Sequence, residues 1–391
     1  MPALIFGPSR HLVYGVQNGC ASVEDLCIYK IIHSYPSPYE LNRFLNMFVP
    51  KIVFLELSSG ETAFPLAREI RNSFPEAVVI GFLHDCTREK AIEALDAGVA
   101  EILMPPLTDE DFSEAIIQVL NREQAEPPEN LFAFLPAKAG SGSTTVALNV
   151  AGTLARVWKQ RVLVLDGDLQ SGIISLLMNV DPPATMLDAL EIAHQLDEQH
   201  WEKIRASAHG LDLLTTPRQG KPATFSHLSY YRFFRFLRAR YDTVIVDLPE
   251  IANEVTDAIV KQAKDFFVVS TPDDAALFLA RRRVMELRGR GVSRTRLNVV
   301  VNRHVRDDPA VLQLEKTLER RVAAVLPRDD AAIRKATRAQ ELADPASEFV
   351  AATRTLARTI TGLEPTAQPA TAQVEQSLLD ILFGRKRATA Q

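Results

Sequence analysis

The stretch that most constrains this chain is residues 131–157, where Leu-Phe-Ala-Phe-Leu gives way to Pro-Ala-Lys-Ala-Gly-Ser-Gly-Ser-Thr-Thr and then to a run of helix-forming residues. A short apolar run bounded by Pro and Gly predicts a buried strand over 131–135, and the periodicity of 146–157 predicts a helix. The small residues between them let successive backbone N–H groups turn inward around an anion, and the helix adds the positive end of its dipole. This is the setting of a phosphate-cradling loop. Against the strict G-x-x-x-x-G-K-[ST] pattern it departs twice, with Ala137 at the first glycine and Ser143 at the lysine. Ala139, Gly140, Ser141, Gly142, Ser143, Thr144 and Thr145 are the expected phosphate ligands, with the Thr144 hydroxyl on Mg²⁺.

Two carboxylate motifs follow, each at the end of an apolar run. Residues 162–165 lead into Asp166-Gly-Asp168-Leu-Gln170, and residues 243–246 into Asp247-Leu-Pro249. Strand ends of this kind face the ligand crevice of an open α/β sheet. Asp166 and Asp168 are expected beside the phosphates, where they can polarise an attacking water, and Asp247 is expected to hold a metal-bound water. Further strands are predicted at 211–215, 265–270, 297–301 and 323–326, giving a doubly wound α/β domain over 131–362.

Loop, Asp-x-Asp and Asp-x-Pro together resemble the deviant Walker A family of P-loop ATPases that includes ParA and MinD. The resemblance implies an ATP- and Mg²⁺-binding homodimer in which Lys138, the counterpart of the family's signature lysine, reaches the partner's phosphates. Asp166, Thr144 and Asp247 are then metal-site residues, and Asp168 and Lys138 catalytic ones. Asn302 in Val300-Val-Asn-Arg303 and Pro327 in Leu326-Pro-Arg-Asp329 fall where related proteins contact adenine. The second lysine of the family is absent. Losing a cation about 4 Å from a phosphate forfeits roughly 4 kcal/mol of raw Coulomb attraction at an effective dielectric near 20, so weak binding and slow or absent hydrolysis are expected.

Residues 1–121 alternate apolar runs with amphipathic stretches, as βα units around a parallel sheet do, with strands expected at 52–57, 77–83 and 100–104 and helices at 65–73, 87–97 and 109–121. Ala91-Ile-Glu-Ala-Leu-Asp-Ala-Gly98 followed by Glu101-Ile-Leu-Met-Pro-Pro106 is similar to a response-regulator receiver, a flavodoxin-like fold. Its chemistry is missing. Glu56 stands at the phosphoryl-accepting Asp, Leu83 at the switch hydroxyl and Pro105 at the Lys before the cis-proline, and no acidic pair lies near Ile5. Residues 122–130, polar and containing Pro127-Pro128, are expected to be a linker. A pseudo-receiver, a replaced loop lysine ahead of Thr-Thr, and the stretch from Leu187-Asp-Ala-Leu190 through Gly210-Leu-Asp-Leu-Leu-Thr-Thr-Pro217 together resemble the TadZ/CpaE branch, which positions the tight-adherence (Flp-type) pilus machine.

Composition narrows the surroundings. The 44 basic and 49 acidic residues leave a net charge of −5, which argues against coating nucleic acid even though Arg281, Arg282, Arg283, Arg288, Arg290, Arg294 and Arg296 cluster. Nucleic acid is not an expected partner. Cys20, Cys27 and Cys86 form no metal or disulfide pattern, and no apolar run reaches the roughly 18 residues of a spanning helix, so a cytoplasmic protein is expected. The tail, 363–391, turns to Pro, Thr, Ala and Gln and is expected to be a tether. It ends in a stretch that puts Val374, Leu378, Ile381 and Leu382 on one helical face ahead of Arg385-Lys-Arg387. That stretch resembles the membrane-targeting tail of MinD and suits either peripheral contact with the inner membrane or docking on a protein. The function expected is a nucleotide-responsive localisation and assembly factor for pilus or secretion-system components. The alternatives are an active ParA/MinD-type partitioning or positioning ATPase and a nucleotide-free signalling adaptor.

Overall fold

The computed structural model describes residues 1–391 other than 22, 24, 25, 124–126, 183, 217–224 and 363–391. The amphipathic tail lies outside the described residues. The first apolar runs form β1 (Pro2–Phe6), β2 (Cys27–Ile32), β3 (Ile52–Glu56), β4 (Val78–Phe82) and β5 (Val99–Leu103), joined by α1 (Arg10–Ala21), α2 (Pro38–Phe48), α3 (Gly60–Ser73) and α4 (Arg88–Asp96), with α5 (Asp109–Glu123) after the last strand. All five strands pair in parallel in the order β2-β1-β3-β4-β5, the doubly wound order of flavodoxin-like sheets. Helices cover both faces, so the central β3 is buried at every position and its sequence does not alternate. Gly98, expected to end α4, has φ +96, and a side chain there would run into Arg71. The Pro105–Pro106 bond is cis.

Two local expectations are corrected. Pro65 does not start α3; the helix begins one turn earlier at Gly60 and carries the proline inside. Neither β1 nor β2 was located from sequence: β1 is one short apolar stretch, and the edge strand β2 is only half-buried, so its pattern is diluted.

The second sheet has eight strands. β6 (Leu131–Pro136) leads through the loop to α6 (Ser143–Val157), then β7 (Val162–Asp166), α7 (Ile174–Leu177), α8 (Met186–Glu191), α9 (Glu198–Ile204), β8 (Ala206–Ala208) and β9 (Leu211–Leu214). Next come α10 (His227–Arg240), β10 (Thr243–Asp247), α11 (Glu254–Val260), β11 (Asp265–Ser270), α12 (Asp274–Gly289), β12 (Leu297–His304), α13 (Val311–Leu318), β13 (Val322–Pro327), α14 (Asp330–Ala339) and α15 (Glu348–Thr361). Their order is β13-β12-β11-β6-β10-β7-β9-β8, parallel except for β8. β6 alternates between two cores: Leu131, Ala133 and Leu135 face one, while Phe132 and Phe134 face the other, where Phe134 stacks on Phe267 at 4.8 Å. The chain leaves β6 toward β7 on one side and later crosses to β11 on the other. This reversal places the loop after β6 at the crevice of the sheet.

The two sheets meet through α5 and α10. Leu228 belongs to a core cluster of the first sheet, the Tyr231 hydroxyl donates to the Asn121 side chain, and Lys261 pairs with Glu114. The end of the expected linker is also held. Arg238 donates to the carbonyls of Pro127 and Pro128 at 3.1 and 3.0 Å, and the Asn130 amide donates to the carbonyls of Arg238 and Tyr241.

Gly19 of α1 lets Phe112 of α5 pack against the helix backbone, and a Cβ there would lie 1.9 Å from the buried Phe112 ring. Gly19→Ala should therefore cost about 1–3 kcal/mol and lower the unfolding midpoint. Gly15→Ala, on the same helix with nothing within 4 Å, should leave it unchanged or raise it, as thermal denaturation would record.

Candidate functional site

The loop turns through two left-handed glycines, Gly140 (φ +79) and Gly142 (φ +87), before α6 begins at Ser143 rather than at the expected 146. Gly142 is required twice, because a Cβ there would also lie 2.5 Å from the Asn302 Nδ2. That amide donates to the Ser141 carbonyl at 2.9 Å, fastening β12 to the loop. The first α6 amide to find a backbone acceptor is that of Val146, on the Gly142 carbonyl. The amides of Ser143, Thr144 and Thr145 stand ahead of it at the open end of the helix, where no intrahelical acceptor exists, so they point at any anion seated there.

Beneath the loop, parallel pairing puts Asp166 of β7 directly opposite Asp247 of β10. Both are buried. Thr144 Oγ1 donates to one Asp247 oxygen at 2.5 Å and Ser143 Oγ to the other at 3.2 Å. Asp166 accepts the amides of Ile174 at 3.1 Å and Asp168 at 3.3 Å. Burial pushes both carboxyls up to about 7, against the pull of those hydrogen bonds. Asp168 lies close enough to push both further upward, but its own carboxylate is turned onto the amides of Gln170 and Ser171 at 3.1 and 2.9 Å.

Two carboxylates side by side with a threonine hydroxyl, below a ring of open amides, fit Mg²⁺ carried by a phosphate chain, since Mg²⁺ is held by one or two carboxylates plus phosphate oxygens and water. Among the described residues there is no group of three or more His, Cys, Asp or Glu able to hold a metal by itself. When bound, Mg²⁺ would neutralise phosphate charge. The open amides of 143–145 would hold and orient a bound phosphate, and the surrounding hydroxyls and amides set the proton state of the buried pair.

Lys138 projects at the rim and pairs with Asp273 at 3.0 Å, the N-cap of α12. A hydroxyl from Thr271, the Lys138 ammonium and the Ala276 amide hold Asp273 down at about 2. The Ala139 amide donates to Glu250 at 2.7 Å, so the chain's own carboxylate sits on the loop. Neither Asp273 nor Glu250 was picked out from sequence, although both closely follow the C-terminal ends of strands lining the crevice. Asn302 and Pro327, distant in sequence, line one cavity of about 320 Å³ with Gly142 and Thr145. The arginine cluster of 281–296 is largely bound within the fold: Arg281 to Glu319, Arg283 to Glu286, Arg290 to Asp257, and Arg296 to the carbonyls of Val260 and Ala263.

No family model matches the chain. In sequence it is similar to a ParA family protein of Chlamydia muridarum, 28% identical over 146 residues, covering 35% of this chain and 56% of that one. It is also similar to a putative septum site-determining protein MinD of Emiliania huxleyi, 26% identical over 168 residues, covering 42% and 60%. The chain thus spans little more than half the length of these curated relatives. In structure it is similar to a ParA family ATPase from Chlorobium tepidum, with a TM-score of 0.53 and 19% identity over 59% of this chain and 99% of that one. The cell division ATPase MinD of Pyrococcus furiosus gives 0.50 and 23% over 61% and 100%.

The proton state of the buried pair gives a test. An unfolded Asp releases its proton near pH 4 and these release theirs near 7, so their cost to folding is absent at about pH 4, grows through the interval and is complete above 7. Asp247→Asn should stabilise the ligand-free protein at pH 8 by on the order of 1–3 kcal/mol and much less at pH 5, measured by denaturant unfolding at both values. The described fold and the partial sequence matches agree: the chain has the α/β architecture of the ParA/MinD superfamily of P-loop ATPases and is similar in sequence to proteins of that superfamily.

Proposed function

We propose that the chain is a nucleotide-responsive localisation and assembly factor for a tight-adherence (Flp-type) pilus or a related secretion system. It binds Mg-ATP weakly as a homodimer and hydrolyses it slowly or not at all. The observation that carries this reading is the state of the loop. Its amides, Thr144 and the Asp166/Asp247 pair are arranged for a magnesium-bound phosphate, while the lysine position holds Ser143, buried and donating to Asp247. Binding is supported by main-chain donors and metal. Turnover lacks the loop cation that stabilises charge on the transferred phosphoryl group.

The first unit supports the pilus branch over a plain partitioning ATPase. Its parallel 2-1-3-4-5 sheet is the order shared by receivers. At the end of β3 stands Glu56, buried and held by the Ser9 amide at 2.9 Å and the Ser9 hydroxyl at 2.5 Å. A carboxylate engaged in this way serves as a fixed strut, and the unit as a docking scaffold. The tail, with its apolar face ahead of Arg385-Lys-Arg387, suits either peripheral contact with the inner membrane or docking on a protein partner. Lys138, half-buried at the rim and paired with Asp273, is the residue we assign to the partner's phosphates.

Ser143→Lys should tighten Mg-ATP binding by roughly tenfold or more in calorimetry and raise a low or absent ATPase rate. Lys138→Ala should abolish nucleotide-dependent dimerisation in light scattering. If wild-type and Ser143→Lys proteins both fail to bind at millimolar ATP and magnesium, the nucleotide-free adaptor is the surviving function. Brisk wild-type hydrolysis would favour the partitioning ATPase.

A further inference from the structure

The cavity that joins the loop to Asn302 and Pro327 contains an arginine with no assigned task. β12 and β13 lose register between Val301 and His304, and at that irregularity Arg303 takes a left-handed conformation, φ +59. A non-glycine residue in that region is uncommon, and an irregularity of this kind re-aims the side chain it carries. Arg303 lines the cavity together with Gly142, Thr145 and Arg334. A Cβ on Gly142 would lie 4.0 Å from Arg303 Nη2, so the guanidinium lies beside the turn that starts the phosphate-binding helix.

The acids nearby are engaged elsewhere. Asp330 pairs with Arg328 at 2.8 Å, and Asp329 caps α14 through the Ala332 amide. Among the described residues the Arg303 side chain makes no hydrogen bond or ion pair; the Asp330 carboxyl is held low by its partner Arg328 first, with the charges of Arg334 and Arg303 adding to it. Its guanidinium borders an opening of about 320 Å³ that Asn302 and Pro327, and Gly142 and Thr145, also line.

We propose that Arg303 pairs with the phosphate nearest the nucleoside, restoring from β12 part of the positive charge that the loop lacks at Ser143. A nucleotide with its base against Asn302 and Pro327 and its outer phosphates on the amides of 143–145 must carry its first phosphate past Gly142. That path runs beneath the guanidinium. The pairing rests on the nucleotide-binding function proposed above and assigns the contact that positions the ligand.

The test is calorimetry of the full chain with Mg-ATP and with Mg-ADP, for wild type, Arg303→Ala and Arg303→Lys. Arg303→Ala should weaken both nucleotides by the same factor, about tenfold, and Arg303→Lys should recover part of the loss. The exposed position should leave the unfolding midpoint of both variants unchanged. Wild-type binding with no loss in Arg303→Ala overturns the pairing and leaves nucleotide binding standing. A loss for ATP but not ADP also overturns it, since the charge would then act on the terminal phosphate. Absence of binding in the wild type overturns the pairing together with the function on which it rests.

Discussion

Two carboxylates that the fold forces together, Asp166 and Asp247, set the terms for everything around them. Strand pairing fixes them opposite each other under the first turn of α6, and burial makes their charge costly. Such a pair persists in a fold only with compensation, by protons, hydrogen bonds or a cation. Here Ser143 and Thr144 supply hydroxyls to one and the 166–174 turn supplies amides to the other. The helix dipole adds positive potential from above. The serine at the lysine position thus has a structural partner of its own.

The same helix carries the loop's position across the domain. Asn149 donates to the Thr145 carbonyl and accepts the Ala343 amide at 2.9 Å. One turn on, Thr153 meets Thr353 of α15 in a buried hydroxyl pair at 2.7 Å. Gly152 lets Leu342 approach so closely that a Cβ would lie 2.5 Å from it. The end of the loop and the last described helix are therefore packed together, and polar contacts buried in this way tolerate few alternative geometries. On the opposite side, α10 ties the second sheet to α5 of the first, so the two sheets are joined by side-chain packing as well as by the chain.

Much of this was legible in the residues. The strands that were predicted formed near their expected bounds because they are continuous apolar runs, the form that a sheet covered on both faces demands. The loop and both aspartates were visible because each stands where such a run stops. Position was harder to read where a local rule was overruled: Pro65 lies within a helix, and Ser143 belongs to α6 although small polar residues weaken the helix signal there. β2 escaped notice because an edge strand needs no continuous apolar pattern.

The sequence by itself determined that a turn rich in Gly and Ser, with serine where a P-loop carries lysine, sits between a buried strand and a helix, and that two acidic strand ends follow it in order. Only the tertiary structure decided which groups meet there: Asp166 against Asp247, Glu250 on the Ala139 amide, Asp273 on Lys138, and Arg303 over Gly142. The physical reason is that strand order and register, set by the whole sheet, bring together residues 81 to 161 positions apart, while local periodicity carries information over a few turns at most.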